Sequence, residues 1–358
     1  MALTSTSAPA RLCPLARPRS VMTAAAAAAA SAGPASRLQA LPAELVMELP
    51  KGCKVPPATL PLLHQVLDLY AQRTPRLGAV VDKVTRPGWP GVGTLGHDHF
   101  AFRTFGVPGL GISSLERVLV PLGYARVDDD PPLAFPNKRL VATWFTPADP
   151  AARAVLPRIF VSEIQVEKLS PPAQAAIREV TAWAAAASPE AVLVQVMSSL
   201  ATGSAPWPRP SLDAYEALLA ESEYAAWVMV HGYSLNHTAL ALHRLPPAGT
   251  GADIADFVAR LQAVGLDMNA EGGFVKVSPD KHLLQCAVVA DRMPLTFACG
   301  KTRQVAAAYV EFVQRLRLPQ FAALRPEEVR EEHLREGFEV GNADRIFHST
   351  TLAAAGRG

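Results

Sequence analysis

Apolar positions recur at two different spacings along the chain, and the changes of spacing mark its elements. In residues 56–86, Leu60, Leu63, Val66, Leu67 and Tyr70 fall three or four apart, which predicts a helix. A Pro- and Gly-rich turn follows at 86–96. Residues 97–105 are rich in aromatics and stop before Gly106, which predicts a strand. Residues 113–122 predict a helix with Ser113 as N-cap and Glu116 three positions on. Strands are expected at 124–128, 140–145 and 158–166, so this part reads β-α-β-β-β.

Residues 171–230 differ. Ile177, Val180, Trp183, Val192, Val196, Tyr215, Leu218 and Leu219 keep helical spacing, so an inserted helical section is expected, interrupted at 205–210. The first pattern then returns, with a strand at 233–243 and a helix at 254–264 behind Asp253 as N-cap. Strands are expected at 274–277, 283–289 and 308–316. The expected fold class is therefore α+β, with paired βαβββ modules whose sheets share a cavity, as in the vicinal oxygen chelate architecture. One catalytic domain is expected over residues 44–358. It comprises module one (about 97–167), the insert (171–230), module two (233–317) and a C-terminal tail (318–358).

In that architecture metal ligands come from the first and last strands of the modules. His99 lies on the first strand of module one, His237 on the first strand of module two and Glu311 on its last strand. A Glu among strand-core neighbours is costly unless paired or liganded. Two His and one carboxylate with open positions suit non-haem iron(II), while zinc and manganese stay open on ligand type alone. Strand alternation puts His97 on the same face as His99, so His97 is an alternative ligand. Arg103 shares that face and suits a substrate carboxylate by bidentate hydrogen bonds. Glu163, on the last strand of module one, is left out, because a fourth ligand would close the open side.

Composition narrows the function classes. Apolar residues make up 49% and charged residues 18%, which excludes disorder along the whole length. Lys plus Arg is 34 against 32 Asp plus Glu, a net of +2, so no basic field exists for a nucleic-acid backbone. No segment reads as a membrane span. The four cysteines, Cys13, Cys53, Cys286 and Cys299, form no CxxC pair and read as reduced thiols. Residues 1–43 carry Arg11, Arg17, Arg19 and Arg37 but no acid, the pattern of a transit peptide, here expected to be disordered. Its early Ser and Thr favour a plastid (stroma) over a mitochondrion. Its removal leaves 30 basic residues (34 less 4) against 32 acidic, a net of −2.

At these motifs the chain resembles the 2-oxoadipate dioxygenase/decarboxylase family, in its plant and algal plastid branch. The resembling segments are 97–105 with Arg103, 157–163, 235–238, 309–319 and the tail 337–350. The string at 309–315 is also similar to the last metal-binding strand of 4-hydroxyphenylpyruvate dioxygenase. The resemblance implies Fe(II) held by His99, His237 and Glu311, and a substrate held by Arg103. It also implies oxidative decarboxylation of 2-oxoadipate with dioxygen to 2-hydroxyglutarate and carbon dioxide, in lysine catabolism. Val340 and Gly341 match the family's substrate-side signature, where bacterial members tend to carry Val-Ser; Gly341 offers only its backbone N–H. The chain is also shorter than bacterial members ahead of that tail. Two rivals stand beside this reading. One is a non-oxidative lyase or isomerase with zinc or manganese. The other is a plastid interaction protein with a vestigial site, presenting the helical insert.

Overall fold

The computed structural model describes residues 41–85, 95–129, 131–244 and 253–350. Residues 1–40 of the expected leader at 1–43 and most of the turn at 86–96 lie outside the described residues. Helices α1 (Thr59–Arg73) and α2 (Pro75–Val84) replace the single helix expected there. The break falls at Thr74, because Pro75 has no N–H and restricts the residue before it.

Module one runs β1 (His97–Phe105), α3 (Ile112–Leu119), β2 (Tyr124–Val127), β3 (Leu133–Phe135), β4 (Leu140–Pro147) and β5 (Arg158–Ile164). The expected start of α3 at Ser113 is corrected. The helix begins at Ile112 with Gly111 as N-cap, at φ +79°, and the Ile112 N–H donates to the Glu163 carboxylate (2.8 Å). A long-range carboxylate does the capping, while the Ser113 hydroxyl donates to Leu110 O (3.2 Å). Glu163 thus faces away from the cavity, consistent with its omission as a ligand.

The insert is four helices: α4 (Pro171–Ala186), α5 (Pro189–Thr202), α6 (Leu212–Glu221) and α7 (Glu223–His231). Each starts behind a serine, Ser170, Ser188, Ser211 and Ser222, whose side chain accepts from the backbone N–H three residues on. Module two is β6 (His237–Ala241), α8 (Ile254–Ala263), β7 (Lys276–Val277), β8 (Leu283–Ala287), the hairpin β9 (Arg292–Thr296) and β10 (Thr302–Ala306), and β11 (Tyr309–Arg315). The tail adds α9 (Val340–Ile346). Asp253 caps α8 as expected, accepting from Ala255 N–H.

The main sheet has the order β2-β4-β5-β1-β6-β11-β8-β7, with β3 on β4. Each module contributes its first strand, then its last strand in parallel, then the others. The two first strands, β1 and β6, pair antiparallel and join the modules at a seam. The modules are thus related by a pseudo-twofold across this seam. Each first strand is buried along its whole length, which explains the nearly continuous apolar runs. Helix α8 covers one face, with Phe257 against Phe312 at 4.9 Å. The tail closes the other.

Candidate metal centre

The seam places the three expected ligands on adjacent strands. His99 lies opposite Ala239, Ala239 lies opposite Glu311, and His237 sits one pair along, between Ala101 and Tyr309. All three side chains therefore share one face. The positions between them are alanines, whose small side chains do not crowd the ligands. His99 Nε2 lies 3.3 Å from His237 Nε2 and 3.6 Å from Glu311 Oε2, and His237 Nε2 lies 3.2 Å from Glu311 Oε2. Among the described residues this is the one His/Cys/Asp/Glu group whose ligand atoms converge in this way, and it is buried throughout.

Each ligand is held from behind. Asp98 Oδ1 accepts from His99 Nδ1 (2.8 Å), and Asn236 Oδ1 accepts from His237 Nδ1 (3.0 Å). These acceptors select the tautomer with a free Nε2 lone pair, the form that binds a metal. Gln285 Nε2 donates to Glu311 Oε1 (2.7 Å), and Asn342 of α9 donates to Gln285 Oε1 (3.0 Å). Asp98 is gripped by Arg315, from Nε (2.6 Å) and Nη2 (3.0 Å), and lies 3.4 Å from Arg158 Nη1.

His97 does not join them. The pairing shifts by one residue between His97 and His99, a β-bulge at Asp98. The extra residue overturns strand alternation: His97 points to the other face, bonded to Thr238 Oγ1 (2.8 Å) and Leu45 O (3.0 Å). The same bulge delivers Asp98 to His99.

The electrostatics suit a cation. Burial lowers His237 to about 4, so it is neutral near pH 7. Burial opposes charge on His99, but Glu311 and Asp98 outweigh it and raise its pKa. Burial also opposes charge on Glu311, yet His99 and His237 hold it down at about 2. A carboxylate and two imidazoles crowded within 3.6 Å offer one anionic oxygen and, once His99 sheds its proton, two neutral nitrogens, a donor set that suits a divalent metal.

Arg103 lies on the same face as His99, two pairs further along β1. Its guanidinium is buried among Tyr224, Trp227 and Phe347, with ring centroids 4.9–5.7 Å away. Nη1 donates to Thr350 Oγ1 (3.2 Å), while Nη2 is buried without a hydrogen-bond partner. A buried cation with an unpaired N–H is costly until an acceptor reaches it. Val340 and Gly341 begin α9. Val340 packs on the core, and Gly341 is exposed with its N–H toward Glu339 Oε1 (3.5 Å). The helix reaches the ligands through Asn342.

The pseudo-twofold also shows why the group has three members rather than four. It exchanges His99 with His237, Asp98 with Asn236, and Phe160 with Glu311. Phe160 stands where a fourth ligand would. It packs on Phe338 at 4.9 Å, and Phe338 in turn lies edge-on to His99 at 4.9 Å. Asp98, Gln285, Asn342 and Phe338 were not singled out from sequence. Of these only Asp98, next to a candidate ligand, carried a local signal.

Paired βαβββ modules with candidate ligands across their seam define a vicinal oxygen chelate-like fold. A glyoxalase superfamily protein from Ralstonia eutropha shares the fold, at TM-score 0.63 and 21% identity over 88% of this chain and 98% of that one. The model of the family described as 2-oxoadipate dioxygenase/decarboxylase matches residues 62–324. A relative from Oryza sativa subsp. japonica, named 2-oxoadipate dioxygenase/decarboxylase, chloroplastic/amyloplastic, is 40% identical over 91% of this chain and 84% of its own. A chloroplastic relative of the same name from Arabidopsis thaliana is 40% identical over 81% of this chain and 76% of its own. The crystal structure of the hydroxyglutarate synthase from Oryza sativa, in complex with 2-oxoadipate, superposes with a TM-score of 0.75 at 37% identity. It covers 88% of this chain and 99% of that one. The chain belongs to the 2-oxoadipate dioxygenase/decarboxylase family.

Proposed function

We propose that the protein is an iron(II)-dependent dioxygenase that converts 2-oxoadipate and dioxygen to 2-hydroxyglutarate and carbon dioxide. The observation that carries this reading is the buried His99-His237-Glu311 group, with only three protein ligand atoms converging and Arg103 on the same face. The reaction balances: C1 leaves as carbon dioxide, one oxygen atom completes the new carboxylate at C2, and the other becomes the hydroxyl at C3. Iron(II) held by the triad would supply the redox chemistry with dioxygen. The chain's own residues do the rest. Asp98 and Asn236 keep both Nε2 atoms free, Arg103 takes a substrate carboxylate and fixes the chain's orientation, and Phe338 with Phe160 excludes water. Val340 and Gly341 are assigned to the substrate side, supported by their place next to Asn342. The plastid stroma is the proposed compartment, supported by the acid-free leader and the relatives' chloroplastic names. Lysine catabolism is the pathway proposed for it.

The test is oxygen uptake by metal-free protein reloaded anaerobically with iron(II), zinc(II) or manganese(II), then given air and a series of 2-oxo acids. Oxygen uptake with carbon dioxide release, for iron(II) and 2-oxoadipate, is the expected result. Turnover without oxygen uptake would establish the lyase or isomerase instead. Absence of turnover with every metal and acid would sink the enzymatic reading.

A further inference from the structure

The inference rests on the reading just given and concerns the part of the substrate remote from the metal. Arg103 was legible in the sequence, but the side chain that completes its anion site was not. Tyr309 lies on the ligand face, two residues before Glu311 and opposite His237. Its ring stacks on the His237 imidazole, with centroids 4.4 Å apart and planes 29° from parallel. Its backbone is anchored on both sides: the Tyr70 hydroxyl donates to Tyr309 O (2.5 Å), and Tyr309 N–H donates to Asn236 O (3.3 Å). The ring therefore has a fixed position. Yet the hydroxyl at its end is fully buried and has no hydrogen-bond partner.

Buried phenols ordinarily find a partner. Arg103 Nη2 is orphaned in the same way. The two groups lie within electrostatic reach of one another. The phenol oxygen can accept from Arg103, but the phenol proton then still has no acceptor; an acceptor placed between the two groups takes both an Arg103 N–H and the Tyr309 O–H. The triad takes the reactive end of a 2-oxo acid, so the acceptor here belongs to its far end.

We propose that the Tyr309 hydroxyl and Arg103 Nη2 together hold the distal carboxylate of the substrate, and that Tyr309 sets the preference for dicarboxylic over monocarboxylic 2-oxo acids. The phenol contributes a directed hydrogen bond and Arg103 the charge. A monocarboxylic acid of equal length leaves the buried phenol proton without an acceptor and Arg103 without a counter-charge, which is how such sites reject an analogue that lacks the polar group.

The test is Tyr309→Phe, which keeps the ring and its stack on His237. Iron content should match the wild type. KM for 2-oxoadipate should rise by roughly tenfold, the weight of one hydrogen bond, while kcat changes much less. KM for 2-oxohexanoate should not rise. A second readout needs no turnover: calorimetric titration of glutarate into zinc(II)-loaded protein should show a similar, roughly tenfold loss of affinity in the variant. An equal loss for both oxo acids, or unchanged 2-oxoadipate and glutarate binding, would overturn the assignment. If wild-type protein turns over no 2-oxo acid, the functional reading fails, while the glutarate titration still decides whether Tyr309 binds a carboxylate.

Discussion

His99, His237 and Glu311 converge from strands far apart in sequence, and each is oriented by one further group. His99→Ala, His237→Ala and Glu311→Ala are each expected to lose metal and oxygen uptake, checked by metal analysis and an oxygen electrode. Asp98→Asn removes a charge from behind His99, and metal affinity should fall by roughly 10–100-fold. Arg103→Ala should retain iron and lose substrate affinity. The raised pKa of His99 means that a proton competes with the metal, so metal affinity should rise with pH through the range where His99 loses that proton. Competition titrations at several pH values check the sign. The triad was legible because a polar side chain inside an apolar strand is conspicuous. Its supports were not, because Gln285 and Asn342 look like ordinary surface amides until the sheet and tail place them.

At the scale of elements, β1 shows where the reading of alternation fails. Residues 97–105 form the expected strand, but the bulge at Asp98 changes which histidine faces the cavity. Bulges leave no reliable mark in hydrophobic pattern. The hairpin of β9 and β10 was missed because most of its residues are exposed and Pro294 interrupts it. Helix α3 was placed almost correctly, but its cap came from Glu163, which no local motif encodes. Gly111→Ala is expected to destabilise the protein by about 2 kcal/mol or more. The backbone there has φ +79°, and the added Cβ would lie 2.2 Å from Glu163 Oε2, displacing the cap. Chemical denaturation of the metal-free protein measures this directly.

For the whole molecule, the tail is the lid of the centre and is tied to both modules. Glu336 is paired with Arg158 (2.5 and 2.8 Å), and Arg315 donates to the carbonyls of Arg335 and Gly337 (each 2.8 Å). Although burial opposes charge on Asp98, Glu331 and Glu336, hydrogen bonds and facing cations hold all three carboxyls below their ordinary values. Depressed carboxylates contribute stability that is present above about pH 4 and lost as pH falls through their folded values. The urea midpoint should therefore drop from pH 5 to pH 3, and Trp144, which contacts Phe338, should report release of the lid. The two-module plan was legible from repeated spacing. The seam was not, since nothing local says which strand edges meet.

The exchange of Phe160 for Glu311 across the twofold has a directional consequence. A symmetric ancestor of such a fold would surround its ion evenly and leave no preferred way in. Here hydrocarbon on one side breaks the ring, in the half of the molecule that also carries Arg103. Restoring the missing carboxylate with Phe160→Glu should tighten the hold on the ion and fill the coordination position a reactant needs, turning a catalyst into a metal store.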